Sequence, residues 1–319
     1  MKMIVVTGAA GFIGSHLVDR LVSEGHQVVG YDDLSLGKIE NLGKSLNCDN
    51  FRFKKLDVTD SEALRADLVN YQFLELELWH LAANSDIQAG VLNSEVDLRK
   101  TFLTTYATLE ACRHLPLTAI YFASSSAVFG DHEVSLREDT APLLPISNYG
   151  AMKLASEAII SAFVEGRPTK QMIFRFPNVV GSRATHGILH DFFNRYTQSR
   201  IKLEVLGNGS QEKQYLHVSE LIEAMLIAKE KALKKRELIN IGLTESTTKV
   251  RTIAEMFRRL VDPRLELVFG LEPRGWVGDI PKFRMDASKL YKLGWHPRYK
   301  SDEAVELAIR ELRMERGFE

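Results

Sequence analysis

The sequence predicts an α/β protein, a doubly wound parallel sheet followed by a smaller C-terminal cap. Three observations carry this reading. Short runs of apolar, β-favouring residues alternate with helical patterns through the first half of the chain. The first of those runs are apolar almost throughout, as strands covered on both faces must be. Strands separated by helices connect as parallel βαβ units with right-handed crossovers.

The elements follow in order. "MIVVTG" (3–8) reads as a strand, and Ile13, Leu17 and Leu21 mark one face of a helix over 12–24. "HQVVGYD" (26–32), "FRFKKLDV" (51–58), "LELWHLAA" (76–83), "TAIYFASS" (118–125) and "QMIFRF" (171–176) read as the next five strands. Helical patterns fall at 61–70, 95–113 and 149–164, which completes a Rossmann-like sheet. After Phe176 the pattern loosens into helices over 187–198, 219–232, 249–261 and 302–315, with short strands at 214–218 and 265–269. That is too little for an independent core. Residues 1–177 are therefore expected to form the Rossmann-like domain, with 212–232 returning to it, and 178–319 mostly a cap. The charge run "EKALKKRE" (230–237) reads as the end of a solvated helix.

Bulk properties narrow the partners. A chain of 319 residues is one large domain or two closely joined ones. With 45% hydrophobic and 26% charged residues the composition is globular, and a net charge of −1 gives no electrostatic reason to expect nucleic acid or an anionic membrane. No apolar run approaches the roughly 20 residues that span a bilayer. "MKMIVVTGAAGFIG" enters a glycine motif too soon for a signal peptide, and Cys48 and Cys112 give neither a disulfide framework nor a metal cluster. Two reduced thiols in a cytoplasmic protein are the expectation.

"TGAAGFIG" places Gly8, Gly11 and Gly14 between a strand and a helix. Glycine serves there because the backbone must turn tightly and approach a pyrophosphate closely. The helix that begins near Phe12 and Ile13 aims its first amides at that anion. An acid ends the second strand, Asp32, followed by Asp33. A carboxylate at that point accepts bonds from the adenosine ribose and repels a 2′-phosphate. "YDDLSLGK" holds no arginine, and Lys38 is the only cation near in sequence, so NAD is expected over NADP. The alternative is a structural glycine turn beside a capping aspartate, which the full strand–turn–helix–acid context disfavours. Farther on, "SNYGAMK" sets Tyr149 and Lys153 four residues apart, hence on one helical face, where a lysine charge can lower the pKa of a phenol.

With "LDVTD", "HLAA", "SSSAVFG", "RFPNVVG", "GNGSQEKQYLHV" and "GDIP…DASK" added, the chain resembles the extended short-chain dehydrogenase/reductases over nearly its whole length. It is most similar to their nucleotide-sugar epimerase/dehydratase branch. The resemblance implies that Asp57 and Val58 lie beside the adenine and that Leu81, Ala82 and Ala83 line the cofactor path. It makes Tyr149 and Lys153 the catalytic pair. Lys153 would bind the nicotinamide ribose and stabilise a Tyr149 phenolate, and Ser125 would hydrogen-bond the same oxygen, with Ser124 and Ser126 as neighbouring alternatives.

Branch chemistry turns on two positions. Sugar 4,6-dehydratases resembling this chain carry an Asp-Glu pair where it has Ser126 and Ala127, and related decarboxylases carry a glutamate at the second. A hydroxyl and a methyl group supply no carboxyl acid–base chemistry. What the resemblance then implies is C4 epimerisation of a UDP-hexose, UDP-glucose or UDP-galactose, through a transient 4-keto sugar. The alternatives are UDP-N-acetylhexosamine or UDP-uronate 4-epimerisation, NAD(P)H-dependent reduction of a keto-sugar, and a catalytically silent nucleotide-binding protein.

The same resemblance makes Asn178, Lys213, Arg274 and Asp279 the anchor for the nucleoside diphosphate, and lays "GILHDF" (187–192) against the base. Lys213 stands where arginine is common, Thr101 where asparagine is, and "RGWVGD" lengthens the spacing from Arg274 to Asp279. Phe283 aligns with a gate residue that excludes N-acetyl sugars. No metal is expected, since His186 and His190 have no third ligand. A homodimer is expected through the helices over 95–113 and 149–164, with Phe102, Leu103, Leu109, Ile159 and Phe163 serving either interface or core.

Overall fold

The computed structural model describes residues 2–132, 135–276 and 278–318, so Val277 of the "RGWVGD" stretch lies outside the described residues. The described chain divides into two compact units. The first comprises residues 1–128, 147–175 and 229–239, the second 129–146, 176–228 and 240–319. The segment returning to the first unit is thus the last turn of the helix Val218–Lys231 and the strand after it, rather than 212–232.

The first unit is built on a seven-stranded sheet. Its strands are β1 (Lys2–Thr7), β2 (Val28–Asp32), β3 (Phe51–Lys55), β4 (Glu75–His80), β5 (Leu117–Ser125), β6 (Lys170–Phe176) and an edge strand, Arg236–Asn240. From one edge to the other the order is Arg236–Asn240, β6, β5, β4, β1, β2, β3. β1 runs parallel to β2 and β4, β2 to β3, and β4 to β5. The chain winds outward from β1 to β3, then crosses back to β4 and winds the other way. That reversal between β1 and β4 opens a crevice beyond the C-terminal strand ends, the place where doubly wound sheets bind ligands. The core joins Val5, Val29 and Leu78 of the strands to Leu64, Leu109, Ile160 and Phe163 of the helices. Leu109 and Phe163 therefore serve the core, whereas Tyr106 is exposed.

Two elements differ from the sequence reading. The single helix expected over 95–113 is an α turn at Ser94–Asp97, a π-helical stretch at Leu98–Leu103 and an α-helix at Thr104–Cys112. Periodicity cannot see a one-residue insertion inside a helix, and such insertions cluster at functional sites. The charge run is not all solvated. Ala232 and Glu237 within it are buried, and the run passes into the edge strand at Arg236.

The second unit gathers the helices Ile188–Gln198, Val250–Val261 and Ser301–Glu315 around Phe192, Phe193, Phe257 and Ile309. Three two-stranded ladders complete it: Asn178–Val180 with Tyr215–His217, Glu212–Lys213 with Thr248–Lys249, and Lys202–Val205 with Glu266–Phe269. Among the described residues no helix is long and apolar enough to cross a membrane.

One buried ion pair sets the register of the helix Asn148–Val164 on the sheet. Glu157 of that helix receives Arg175 Nε at 3.0 Å and Nη2 at 2.7 Å from β6, and Ser124 Oγ from β5. Both charged side chains are nearly inaccessible to solvent. Removing one member of such a pair leaves the other charge buried, at a cost of about 3–5 kcal/mol. Glu157→Ala should lower unfolding free energy by about that amount and Glu157→Gln by less, as read from urea denaturation midpoints.

Candidate active site

The glycine loop follows from steric exclusion. Gly8 has φ of +71°, in the left-handed region that L-residues avoid, and a Cβ there would stand 2.7 Å from Ala82 N. At Gly14 a Cβ would fall 1.9 Å from Gly8 O, so helix α1 (Phe12–Ser23) begins pressed against the end of β1. Gly11, Phe12 and Ile13 carry the turn into that helix, whose first amides open on the crevice beside β1. Such a cradle, closed by backbone where side chains would intrude, fits a dinucleotide pyrophosphate.

The acid at the end of β2 is fixed by backbone. Asp32 is buried and accepts Ala10 N at 3.0 Å and Leu34 N at 2.9 Å. Burial raises its pKa, and those amide bonds oppose the rise. Asp33 turns elsewhere, to Ser35 and to Lys100, which lies 2.6 Å away. Asp57 is exposed and Val58 buried just beyond β3, while Leu81, Ala82 and Ala83 are half-buried just beyond β4. These sequence-predicted cofactor residues therefore lie in the first unit, beyond the C-terminal ends of strands or at the start of α1.

Ser125, Tyr149 and Lys153 also meet there. Ser147 Oγ accepts Gly150 N at 3.1 Å and so caps the helix that carries the tyrosine and the lysine. Lys153 is 2% exposed and donates to Ala123 O at 2.7 Å, with its ammonium 5.7 Å from the Tyr149 ring centroid. Burial pushes the Tyr149 phenol pKa up, a hydrogen bond with Ser125 pulls it down, and the Asp97 charge adds to the rise. Ser124 is engaged by Glu157, whereas Ser125 accepts Ala127 N at 3.1 Å and bonds Tyr149.

A polar group missed by sequence reasoning sits beneath this pair. Asp97 is buried, accepts Asn84 Nδ2 at 2.8 Å, and bonds the Thr101 hydroxyl. Thr101 Oγ1 also accepts Asn84 N at 3.3 Å, so the departure at Thr101 is filled by an Asn84–Asp97–Thr101 network. No motif signals it, because Asn84 and Asp97 lie 13 residues apart, on either side of the helix Ile87–Leu92.

In the second unit the four anchor candidates separate. Lys213 forms an ion pair with the buried Asp279, which also accepts Gly275 N at 3.0 Å. Arg274 reaches Asp131 on the surface, at 2.9 Å. Asn178 begins the strand Asn178–Val180, and its buried Nδ2 has no hydrogen-bond partner. A buried amide without a partner is costly unless a ligand answers it. His190 Nδ1 lies 2.9 Å from Ala184 O and 2.8 Å from Arg316 Nη2, and its tautomer decides which of the two it bonds.

Residues 4–242 match the model of the NAD dependent epimerase/dehydratase family. The UDP-glucose 4-epimerase of Mycolicibacterium smegmatis is 30% identical over 319 residues, covering 97% of this chain and 98% of its own. A solved UDP-galactose 4-epimerase superposes with a TM-score of 0.86 at 32% identity, covering 98% of this chain and 99% of that one. The UDP-glucose 4-epimerase of Thermotoga maritima, solved with UDP-glucose, gives a TM-score of 0.86 at 28% identity and the same coverage.

The buried lysine makes stability depend on pH. Burial pushes the Lys153 pKa down to about 7 from 10.5, against the pull of Glu157 and Asp97. Between those two values the unfolded chain binds a proton that the folded, cofactor-free protein does not, so this group makes stability rise with pH. Urea midpoints of cofactor-free protein at pH 7 and pH 9 test this. Wild type should gain on Lys153→Met over that interval, and a constant difference would contradict it.

Proposed function

The chain belongs to the NAD-dependent epimerase/dehydratase family, and from that premise we propose that it inverts C4 of a UDP-hexose, interconverting UDP-glucose and UDP-galactose. The observation that carries this reading is the Ser125–Tyr149–Lys153 cluster, with Ser126 and Ala127 in place of an acid–base pair. Eliminating water across a neighbouring bond would need carboxyl groups there. Oxidation and re-reduction at one carbon needs a single base.

Tyr149 Oη takes the proton of the sugar 4-hydroxyl, and Ser125 holds that oxygen in place. NAD, when bound, would supply the acceptor for the C4 hydride and the donor that restores it. The 4-keto sugar turns its other face, and Tyr149 gives its proton back to the C4 oxygen. Lys153, charged beside the phenol, stabilises the phenolate and brings its pKa toward the working range. In the cofactor-free protein burial raises the phenol pKa, and positive charge near the ring would oppose that rise. Asn178, Lys213 and Asp279 hold the nucleoside diphosphate, Asn178 with the amide that lacks a protein partner. Opening the Lys213–Asp279 pair would free an ammonium for phosphate and a carboxylate for a ribose hydroxyl.

Purified protein with NAD should convert UDP-galactose to UDP-glucose with no net NADH formed. A keto-sugar reductase would consume NADH in proportion to product, and conversion only of N-acetylated or uronate UDP-sugars would reassign the substrate. Tyr149→Phe should lower kcat by about 10²–10⁴-fold while NAD binding persists. Full activity in that variant would remove Tyr149 as the base.

A further inference from the structure

Three charged side chains meet beyond the ends of β2, β3 and β4. Lys100 Nζ donates to Asp33 Oδ2 at 2.6 Å and to Asp57 Oδ2 at 3.2 Å. Each acid ties its other oxygen to its own turn. Asp33 Oδ1 accepts Ser35 N at 2.9 Å and Ser35 Oγ at 2.6 Å. Asp57 Oδ1 accepts Thr59 N at 3.0 Å and Thr59 Oγ1 at 2.8 Å. The lysine starts from a fixed point, because its carbonyl accepts Asn84 N at 2.9 Å within the π-helical stretch. Its side chain is 37% exposed, so a ligand can reach it.

The charges are real at neutral pH. Burial opposes ionisation of both acids, but the bonds from Lys100, Ser35 and Thr59 hold both below the usual carboxylate range. The same two bonds outweigh burial at Lys100 and raise its pKa. Asp33 and Asp57 are two of the acids assigned above to the adenosine end of the dinucleotide. Without the lysine that end would present three uncompensated carboxylates, Asp32 included, to any phosphate on the ribose. With it, one ammonium stands between two of them.

We propose that Lys100 is a specificity-determining residue: it weakens the site's discrimination against a ribose 2′-phosphate, so that the protein takes up NADP as a second, weaker dinucleotide ligand. Asp32 keeps NAD preferred, since both its oxygens are aligned by backbone amides and none of its charge is spent on a cation. A cation near the 2′ position is the usual means of accommodating that phosphate. Here it is delivered from a helix that follows β4 rather than from the turn that follows β2. The inference rests on the adenosine lying at Asp32, Asp33 and Asp57.

Titration of cofactor-depleted protein with NAD and NADP, followed by calorimetry, tests it. Wild type should bind both, NADP the more weakly. Lys100→Met should weaken NADP about tenfold more than it weakens NAD, and Lys100→Arg should keep the wild-type ratio. A ratio unchanged within about twofold in Lys100→Met, or no NADP binding by wild type, would overturn the role given to the lysine. NAD affinity untouched by Asp32→Asn would instead overturn the placement of the adenosine, which separates the two failures.

Discussion

The structure depends first on one buried lysine. Lys153 sits in the floor of the crevice, bonded to the carbonyl of Ala123 at the end of β5 and one helical turn from Tyr149. An ammonium in such a place is disfavoured by desolvation and survives only with nearby compensation. Glu157 and Asp97 provide it, one from the next turn of the same helix and one from the segment after β4. The Glu157–Arg175 pair then locks that helix to β6, so the forces that keep the lysine tolerable also fix the direction of the tyrosine. Stability and proposed chemistry share the same side chains.

Backbone closeness supplies the second constraint. Gly8 and Gly14 let helix α1 start almost in contact with the end of β1, and Asp32 is aimed by the amides of Ala10 and Leu34. A site assembled from main chain has little freedom to relax, which suits a cofactor that would stay bound through oxidation and re-reduction. The adenosine end is looser. Asp33 and Asp57 answer to a single lysine, and a side-chain clip can exchange partners where a backbone turn cannot.

Much of this was legible in the sequence, for identifiable reasons. The strand–glycine–helix–acid order and the Tyr149–Lys153 spacing are local, and local features survive translation from sequence to structure. Strands β1 and β2 were visible because parallel strands buried on both faces are apolar runs. Contacts between distant segments were not visible. Lys100 meets Asp33 across 67 residues and Asp57 across 43, and nothing in "LRKTFL" announces either. The π-helical stretch that carries Lys100 and begins just after Asp97 reads as ordinary helix. The edge strand Arg236–Asn240 was hidden in a charge run because an edge strand needs no apolar face on its open side. At the cap, the anchor residues were named one by one, but only the fold shows Lys213 and Asp279 as partners and Arg274 engaged by Asp131.

In the proposed reaction one carbon is oxidised and reduced again by the same hydride, with Tyr149 moving the accompanying proton. UDP-glucose deuterated at C4, followed through turnover by mass spectrometry, tests this. UDP-galactose should retain the deuterium at C4, with the label neither lost to water nor accumulated in free NADH. Washout of the label into solvent, or inversion at any other carbon, would contradict it.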